Sequence, residues 1–231
     1  RGEIPKGLRG TLYRTGPNPQ FEPRGQYHWF AGDGMIHAFH VEDGKVGYRN
    51  RYVRTPKWEL ENAAGQALFG SFGNPMATDP SAIGKDSGVA NTNIVSHAGR
   101  LLALEEGHMP FEMESRTLNS KGYVEGYKGR TTAHPKIDPK TGEMVWFGYG
   151  IGPMPFGAGI SYGVTDAGGQ VVRRDDFEAP YSSMIHDFLV TENYVAFPVL
   201  PLTGSLERAM SGLPAFAWEP ELGGHIGLLQ R

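Results

Sequence analysis

The stretch "TTAHPKIDPKTGEMVWFGYG", residues 131–150, predicts the basic unit of the fold. An extended run containing Ile137 leads into a Pro-Lys-Thr-Gly turn, and a second run alternates in direction from Met144 to Tyr149. Two extended runs joined by a turn at Thr141-Gly142 predict a β-hairpin. The hairpin explains every residue of the stretch except His134, which stands at its start.

The same unit recurs along the chain, which predicts an all-β protein. Short apolar or alternating runs flank further turn signals at Asp43-Gly44, Ala98-Gly99, Gly168-Gly169 and Glu192-Asn193. Histidines at positions 37, 97, 134, 186 and 225 stand near the starts of successive units, a loose period typical of β-propeller blades. A closed propeller needs more than 231 residues at about 45 per blade. We therefore expect residues 1–231 to form part of one larger propeller domain.

The composition agrees with a globular β protein. The 231 residues are 39% hydrophobic and 20% charged, carry a formal net charge of −3, and include 33 glycines and 17 prolines. This balance does not favour nucleic acid as a partner. Without cysteine, a transition-metal site must use imidazole and carboxylate ligands. We find no apolar stretch long enough to span a membrane and no signal peptide, and we expect a cytoplasmic protein, although the start at Arg1 leaves a removed leader open.

Two segments predict short helices between strands. "PKWELENAAGQALFG" can form an amphipathic helix of about three turns. "LTGSLERAMSG" offers Thr203 or Ser205 as an N-cap and Gly212 as a stop.

His134 and His186 occupy the same place in their hairpins, at the start of the inner run. A histidine at a strand end is more often a hydrogen-bonded structural residue than a ligand, and we assign that structural role to His28 and His37. Because propeller strands start near the central axis, side chains at matching positions converge there. Four neutral imidazoles could hold a divalent ion at such an axis, and this chain supplies two.

Five segments in order resemble the carotenoid cleavage oxygenase family, including its lignostilbene-cleaving and isoeugenol-cleaving branches. They are "LYRTGPNPQFEP", "YHWFAGDGMIHAF", "ANTNIVSHAGRLLALEEG", "TAHPKIDPKTGEMVWFGYG" and "SSMIHDFLVTENYVAFPV". The resemblance implies an all-β, seven-bladed β-propeller, of which this chain covers about the N-terminal half. It also implies Fe(II) held by four histidines, and the use of O₂ to cleave a carbon-carbon double bond into two carbonyl products.

The resemblance also assigns roles to individual residues. His134 and His186 match the first two iron ligands, and the third and fourth are expected beyond Arg231. Glu106 matches a glutamate that would accept the other ring N–H of a ligand histidine, which we expect to be His186. Thr92 matches a residue that faces the open coordination position.

Three further residues bear on the substrate. Phe30 matches an aromatic wall residue of the stilbene-cleaving branch. That branch holds its phenol with a lysine and a tyrosine, where this chain has Glu105 and Phe72. Because Phe72 has no hydroxyl and Glu105 reverses the charge, we expect an apolar polyene such as an apocarotenoid, with a stilbene or phenylpropenoid as the alternative.

Other functions stay open at this point. The propeller could bind a ligand without chemistry, if the scaffold has lost its activity. A hydrolase with a hard metal such as Ca²⁺ would require clustered Asp, Asn and Glu where His134 and His186 stand, and is disfavoured. The partners implied for the enzyme are O₂ and an apolar conjugated alkene, and the family is compatible with peripheral membrane contact.

Overall fold

The fold was analysed in a computed structural model that describes residues 2–71, 74–153 and 155–231. The chain divides into two compact units. The first unit comprises residues 1–105 and 110–124, and the second comprises residues 106–109 and 125–231. The short segment Glu106–Met109 thus belongs to the second unit although it lies within the sequence of the first.

The described residues of the first unit form two antiparallel sheets and one α-helix. The strands of the first sheet are β1 (Gly10–Pro17), β2 (Gly34–Glu42) and β3 (Lys45–Tyr52), in the order β1-β2-β3. The second sheet is a meander of β4 (Asn93–His97), β5 (Arg100–Leu104), β6 (Phe111–Met113) and β7 (Ser120–Tyr123). Helix α1 spans Pro56–Ala64, and 3₁₀ turns lie at Trp29–Ala31, Pro75–Ala77 and Pro80–Ala82.

In the second unit, the part of the chain that the structure describes forms three antiparallel sheets. A four-stranded meander joins β8 (Lys136–Ile137), β9 (Met144–Ile151), β10 (Gly159–Thr165) and β11 (Val171–Glu178). A three-stranded sheet has the order β12 (Leu189–Val190), β13 (Tyr194–Val199) and β16 (His225–Gln230). Strands β14 (Leu202–Gly204) and β15 (Phe216–Trp218) form a small ribbon, helix α2 spans Leu206–Met210, and 3₁₀ turns lie at Glu125–Tyr127 and Pro220–Leu222.

The five predicted hairpins are confirmed, and the protein is all-β with little helix. Asp43-Gly44 joins β2 to β3 and Ala98-Gly99 joins β4 to β5. All four of these turn residues have positive φ, as a two-residue turn that matches strand twist requires. Four strands in chain order, as in β8 to β11, are the arrangement expected of one propeller blade.

The expectation that five histidines open successive units is wrong for three of them. His37 lies inside β2, His97 ends β4, and His225 begins β16, the third strand of a sheet that β12 already opened. Loops of unequal length produced the apparent period. Of these five histidines, His134 and His186 stand two and three residues before the first strand of a sheet, β8 and β12.

Each unit has its own apolar core. In the first unit, Ile36 and Ala38 of β2 pack with β5 and β6 residues such as Ala103 and Met113. In the second unit the cluster spans both larger sheets and includes Val145, Phe147, Tyr162, Ile185, Phe188 and Phe197. Strand β9 is buried on both faces from Met144 to Gly148, so the alternating pattern of its sequence does not mark an exposed face.

Both predicted helices are present. Thr55 caps α1 by accepting a hydrogen bond from Trp58 N, and Gly65, with a φ of 69°, ends it. Ser205, not Thr203, caps α2, because Thr203 lies within β14. Neither helix is long and apolar enough to cross a membrane, and the same holds for every helix in the described ranges.

Candidate metal centre

The backbone around His134 is fixed by hydrogen bonds to the sheet that follows it. Thr132 N donates to Phe147 O of β9 at 2.5 Å, and His134 N donates to Thr132 Oγ1 at 3.0 Å. Thr131 N and Oγ1 both donate to His108 O at 3.2 Å, which ties this segment to residues 106–109. The polar "TT" before the histidine therefore places its imidazole at the end of the β8–β11 sheet.

His186 is held by the apolar residues on either side of it. Ile185 and Phe188 are each 2% exposed and belong to the core of the second unit. Ser183 Oγ donates to Leu200 O at 2.7 Å, which anchors the start of the segment. Because its neighbours are buried, the His186 side chain projects outward, and it is 62% exposed.

The two imidazoles lie side by side. Their ring centroids are 4.6 Å apart, and the ring planes are inclined at 65°. The Nε2 atom of His134 is buried and has no hydrogen-bond partner within the described part of the chain. Burial lowers the pKa of His134, and the neighbouring His186 lowers it further. A neutral imidazole with an unengaged nitrogen is the form that binds a metal ion.

A carboxylate and a phenol support His186. Glu106 Oε1 forms a hydrogen bond with His186 Nδ1, as the sequence predicted. The other oxygen, Oε2, accepts a hydrogen bond of 2.5 Å from the Tyr149 hydroxyl on β9. Burial raises the pKa of Tyr149, and the nearby Glu106 carboxylate adds to the rise, so the phenol stays a donor. With Nδ1 engaged, Nε2 is the nitrogen of His186 that is left for a ligand.

An ion pair joins the segments that carry the two histidines. Lys136 Nζ lies 2.7 Å from Asp187 Oδ1. Asp187 Oδ1 also accepts from Phe188 N at 2.8 Å, which fixes the carboxylate. Lys136 and Asp187 stand two residues and one residue after His134 and His186, so each segment contributes one ligand candidate and one charge.

The donor set fits part of a transition-metal site. Imidazole nitrogens suit divalent iron, zinc or copper, and a carboxylate on the second ring nitrogen of a ligand is the usual support. Across residues 2–71, 74–153 and 155–231, no group of three or more His, Asp or Glu side chains could hold a metal. Two donors are fewer than the three protein ligands of a typical catalytic site, so this pair is a portion of one.

The other predicted residues lie in the first unit. Thr92 is exposed, and its hydroxyl donates to Asn91 Oδ1 at 3.0 Å. Asn91 Nδ2 donates to Phe30 O at 2.8 Å and to Gly32 O at 2.7 Å. The buried Asn91 therefore connects the two predicted substrate-facing residues, Thr92 and Phe30, and Phe30 is 55% exposed.

Of the two residues used to predict the substrate, Glu105 and Phe72, the structure describes only Glu105. Glu105 Oε1 accepts hydrogen bonds from Val89 N at 2.7 Å and Ala90 N at 3.3 Å, so its carboxylate holds the backbone before Thr92. Phe72 lies outside the described residues. The role of this pair in substrate choice stays a prediction.

His28 and His37 have the structural roles assigned to them. His28 Nδ1 accepts from Phe30 N at 3.2 Å and caps the 3₁₀ turn, and His37 Nδ1 lies 2.6 Å from the Tyr48 hydroxyl. Sequence reasoning missed Tyr149 and Asn91, whose partners are distant in sequence. The charges of Lys136 and Asp187 beside matched histidines were a signal that could have indicated their pairing.

An all-β fold with a carboxylate-supported histidine pair defines a candidate metalloprotein. The family model described as retinal pigment epithelial membrane protein matches residues 1–231. The chain therefore belongs to that family, the carotenoid cleavage oxygenases.

Individual relatives are similar along the whole chain. It is 42% identical to isoeugenol monooxygenase of Pseudomonas nitroreducens and 39% identical to lignostilbene-α,β-dioxygenase isozyme III of Sphingomonas paucimobilis, covering 100% of this chain in both cases. It covers 49% and 48% of those proteins, so the chain spans about half the length of these relatives.

Solved structures of oxygenases are also similar to the whole of this chain. The lignostilbene dioxygenase of Pseudomonas brassicacearum superposes with a TM-score of 0.91 at 37% identity, covering 100% of this chain and 49% of that one. A glutamate variant of Synechocystis apocarotenoid oxygenase has a TM-score of 0.81 at 29% identity, covering 100% and 52%. Further variants of that enzyme change the tryptophan directly before this glutamate and a threonine fourteen residues before it.

Proposed function

We propose that the complete protein cleaves a conjugated carbon-carbon double bond oxidatively, with O₂ as co-substrate, and releases two aldehyde or ketone products. The observation that carries this proposal is the His134–His186 pair: a buried Nε2 that has no partner among the described residues stands beside an imidazole supported by Glu106. The names of the relatives, all of them oxygenases or dioxygenases, indicate the reaction class.

The proposed cofactor is Fe(II), held by His134 and His186 together with histidines outside this chain. When bound, the iron would supply the binding and activation of O₂ beside the alkene. Glu106 accepts from His186 Nδ1 and thereby keeps Nε2 unprotonated for the metal. The proposed fold is a seven-bladed β-propeller, in which residues 1–231 form part of a single catalytic domain.

Thr92 is proposed to border the open coordination position. It precedes Glu106 by fourteen residues, the same spacing as between the threonine and the glutamate changed in the Synechocystis variants. The Thr92 hydroxyl donates a hydrogen bond to Oδ1 of its neighbour Asn91, which sets the direction of that hydroxyl. The aromatic face of Phe30 is proposed to line the substrate pocket, with its backbone held by the same Asn91.

For the substrate, we infer an aryl alkene of the phenylpropenoid or stilbene type. Among the solved structures, the lignostilbene dioxygenase is more similar to the chain, at 37% identity and a TM-score of 0.91, than the apocarotenoid oxygenase, at 29% and 0.81. Among the relatives compared by sequence, isoeugenol monooxygenase at 42% and a carotenoid cleavage oxygenase of Neurospora crassa at 41% are nearly equal and do not separate the two substrate classes. Two backbone N–H groups bind the Glu105 carboxylate, so its negative charge counts less against a phenol than the sequence indicates. The missing hydroxyl at Phe72 still favours a polyene, which is the second candidate.

The test is cleavage by the iron-loaded full-length protein. Isoeugenol, a hydroxystilbene and an apocarotenal are incubated separately, and the carbonyl products are identified by mass spectrometry. We expect cleavage of the aryl alkenes, abolished by His186→Ala but not by His225→Ala, which removes an exposed histidine of the same unit. Bound iron without cleavage of any alkene would instead indicate a ligand-binding propeller.

A further inference from the structure

Tyr149 links the sheet to the carboxylate that supports His186. It lies on β9, and its hydroxyl donates to Glu106 Oε2 at 2.5 Å, while Glu106 Oε1 forms its hydrogen bond with His186 Nδ1. The three side chains come from three separate segments of the second unit: residues 106–109, β9 and the stretch before β12. They form one hydrogen-bonded chain that ends at a candidate metal ligand.

The Tyr149 side chain is itself fixed by packing, so its hydroxyl can restrict the rotation of the Glu106 carboxylate. Its ring stacks on Phe147, with centroids 6.2 Å apart and planes 28° from parallel, and it packs against the apolar core of the unit. A carboxylate held at one oxygen can still rotate about its last carbon-carbon bond, whereas one held at both oxygens cannot. The register of β9 therefore fixes the orientation of Glu106.

We propose that Tyr149 is a positioning residue for the metal centre, acting through Glu106 to set the orientation and tautomer of His186. This inference rests on the proposed function, because it assigns Tyr149 a role toward a metal held by His186. Its effect falls on metal binding: a loosened Glu106 lets His186 rotate, and a rotated imidazole holds the ion less tightly.

The test uses cobalt(II) binding to the full-length protein after removal of its iron. Cobalt is a suitable probe because a cobalt-substituted apocarotenoid oxygenase structure exists in this family. Titration followed by visible absorption gives a Kd and a spectrum for each variant. We expect Tyr149→Phe to raise the Kd about tenfold, at the lower end of the 10- to 100-fold loss typical when outer supports of a metal ligand are removed.

The matched control is Tyr162→Phe. Tyr162 lies in the same sheet and is fully buried, and its hydroxyl has no hydrogen-bond partner among the described residues. The Tyr162→Phe variant should bind cobalt with the same Kd and the same spectrum as the unmodified protein. A purely structural contribution of a buried tyrosine hydroxyl would affect folding without affecting the spectrum of bound cobalt.

A double-variant comparison shows whether Tyr149 acts through Glu106. Glu106→Ala should weaken binding more than Tyr149→Phe does, and adding Tyr149→Phe to Glu106→Ala should change nothing further. An unchanged Kd and spectrum in Tyr149→Phe, or equal losses in both backgrounds, would overturn the inference. If cobalt binding survives both His134→Ala and His186→Ala, the proposed function fails instead, so the two failures are distinguishable.

Discussion

Trp146 of β9 packs its indole ring directly over Gly163, its partner residue on β10. A Cβ atom added at Gly163 would lie 2.1 Å from Trp146 Cζ2, far inside van der Waals contact. Trp146 is 1% exposed, and its Nε1 donates to the buried Thr165 hydroxyl at 3.0 Å, so the ring has no free space to move into.

We therefore expect Gly163→Ala to destabilise the protein by about 3 kcal/mol or more, the upper range for overpacking of a core. Thermal and urea unfolding of the full-length variant measure the loss in the free energy of unfolding. Gly227→Ala on β16 is the control, since its added Cβ would meet Phe197 Cβ at an ordinary 3.7 Å. Equal stability of the two variants would contradict the packing described.

Lys57 of α1 forms a buried cluster with Asp33 and Glu61. Its Nζ lies 2.7 Å from a carboxylate oxygen of each, and all three side chains are at most 7% exposed. Lys57→Met leaves two carboxylates buried without their cation, so we expect a loss of about 3–5 kcal/mol in the free energy of unfolding. Lys121→Met breaks the exposed pair with Glu112 and should cost less than about 1 kcal/mol. A loss below 1 kcal/mol for Lys57→Met would show that the cluster is not held by its lysine.

Asp138 gives the stability a pH dependence. The backbone N–H of Lys140 and the Arg231 guanidinium hold the pKa of Asp138 below its usual value. Ionised Asp138 therefore stabilises the fold at pH values above its ordinary pKa of about 4, and this contribution is lost as the pH falls through the folded-state pKa. The Tm difference between the unmodified protein and Asp138→Asn should be largest above about pH 5 and shrink below about pH 4. A difference that does not vary between these pH values would rule out this linkage.

Glu105 is expected to tolerate glutamine but not lysine. Its Oε1 accepts from Val89 N and Ala90 N, and a glutamine side chain keeps that acceptor whereas lysine has none. Glu105→Lys should cost about 1–3 kcal/mol, the range for leaving buried donors unsatisfied, and Glu105→Gln less than that. Unfolding measurements on both variants check this. The combination of Glu105→Lys with Phe72→Tyr tests phenol recognition only if Glu105→Lys alone leaves the fold intact.

Local signals in the sequence predicted much of the fold. Gly44 and Gly99 identify their hairpins because glycine adopts positive φ at little cost, and Pro56, the first residue of the predicted helical segment, is the first residue of α1. Properties set by distant neighbours were not predictable. Glu61, four residues after Lys57 on the same helix, indicates one ion pair, but nothing near Lys57 in the sequence indicates its burial against Asp33, which lies just before β2.

In the candidate site, too, local segments were recognisable from the sequence, whereas contacts between distant segments were not. The segments around His134, His186 and Glu106 are recognisable in the sequence, and the structure brings the three side chains together. That the two histidines are metal ligands stays a prediction. Tyr149 was placed only by the register of β9, and Asn91 only by the approach of the loop that carries Phe30. The Glu105 carboxylate binds the backbone at Val89, a contact that no pattern of side chains in the sequence reveals.

The iron content of the purified full-length protein shows whether His134 and His186 are metal ligands. Elemental analysis after reconstitution with Fe(II) under anaerobic conditions should give stoichiometric iron in the unmodified protein and in His225→Ala. His134→Ala and His186→Ala should each lose most of it while keeping the fold. An iron-free unmodified protein, or full iron content in either ligand variant, would show that this pair of histidines does not hold the metal.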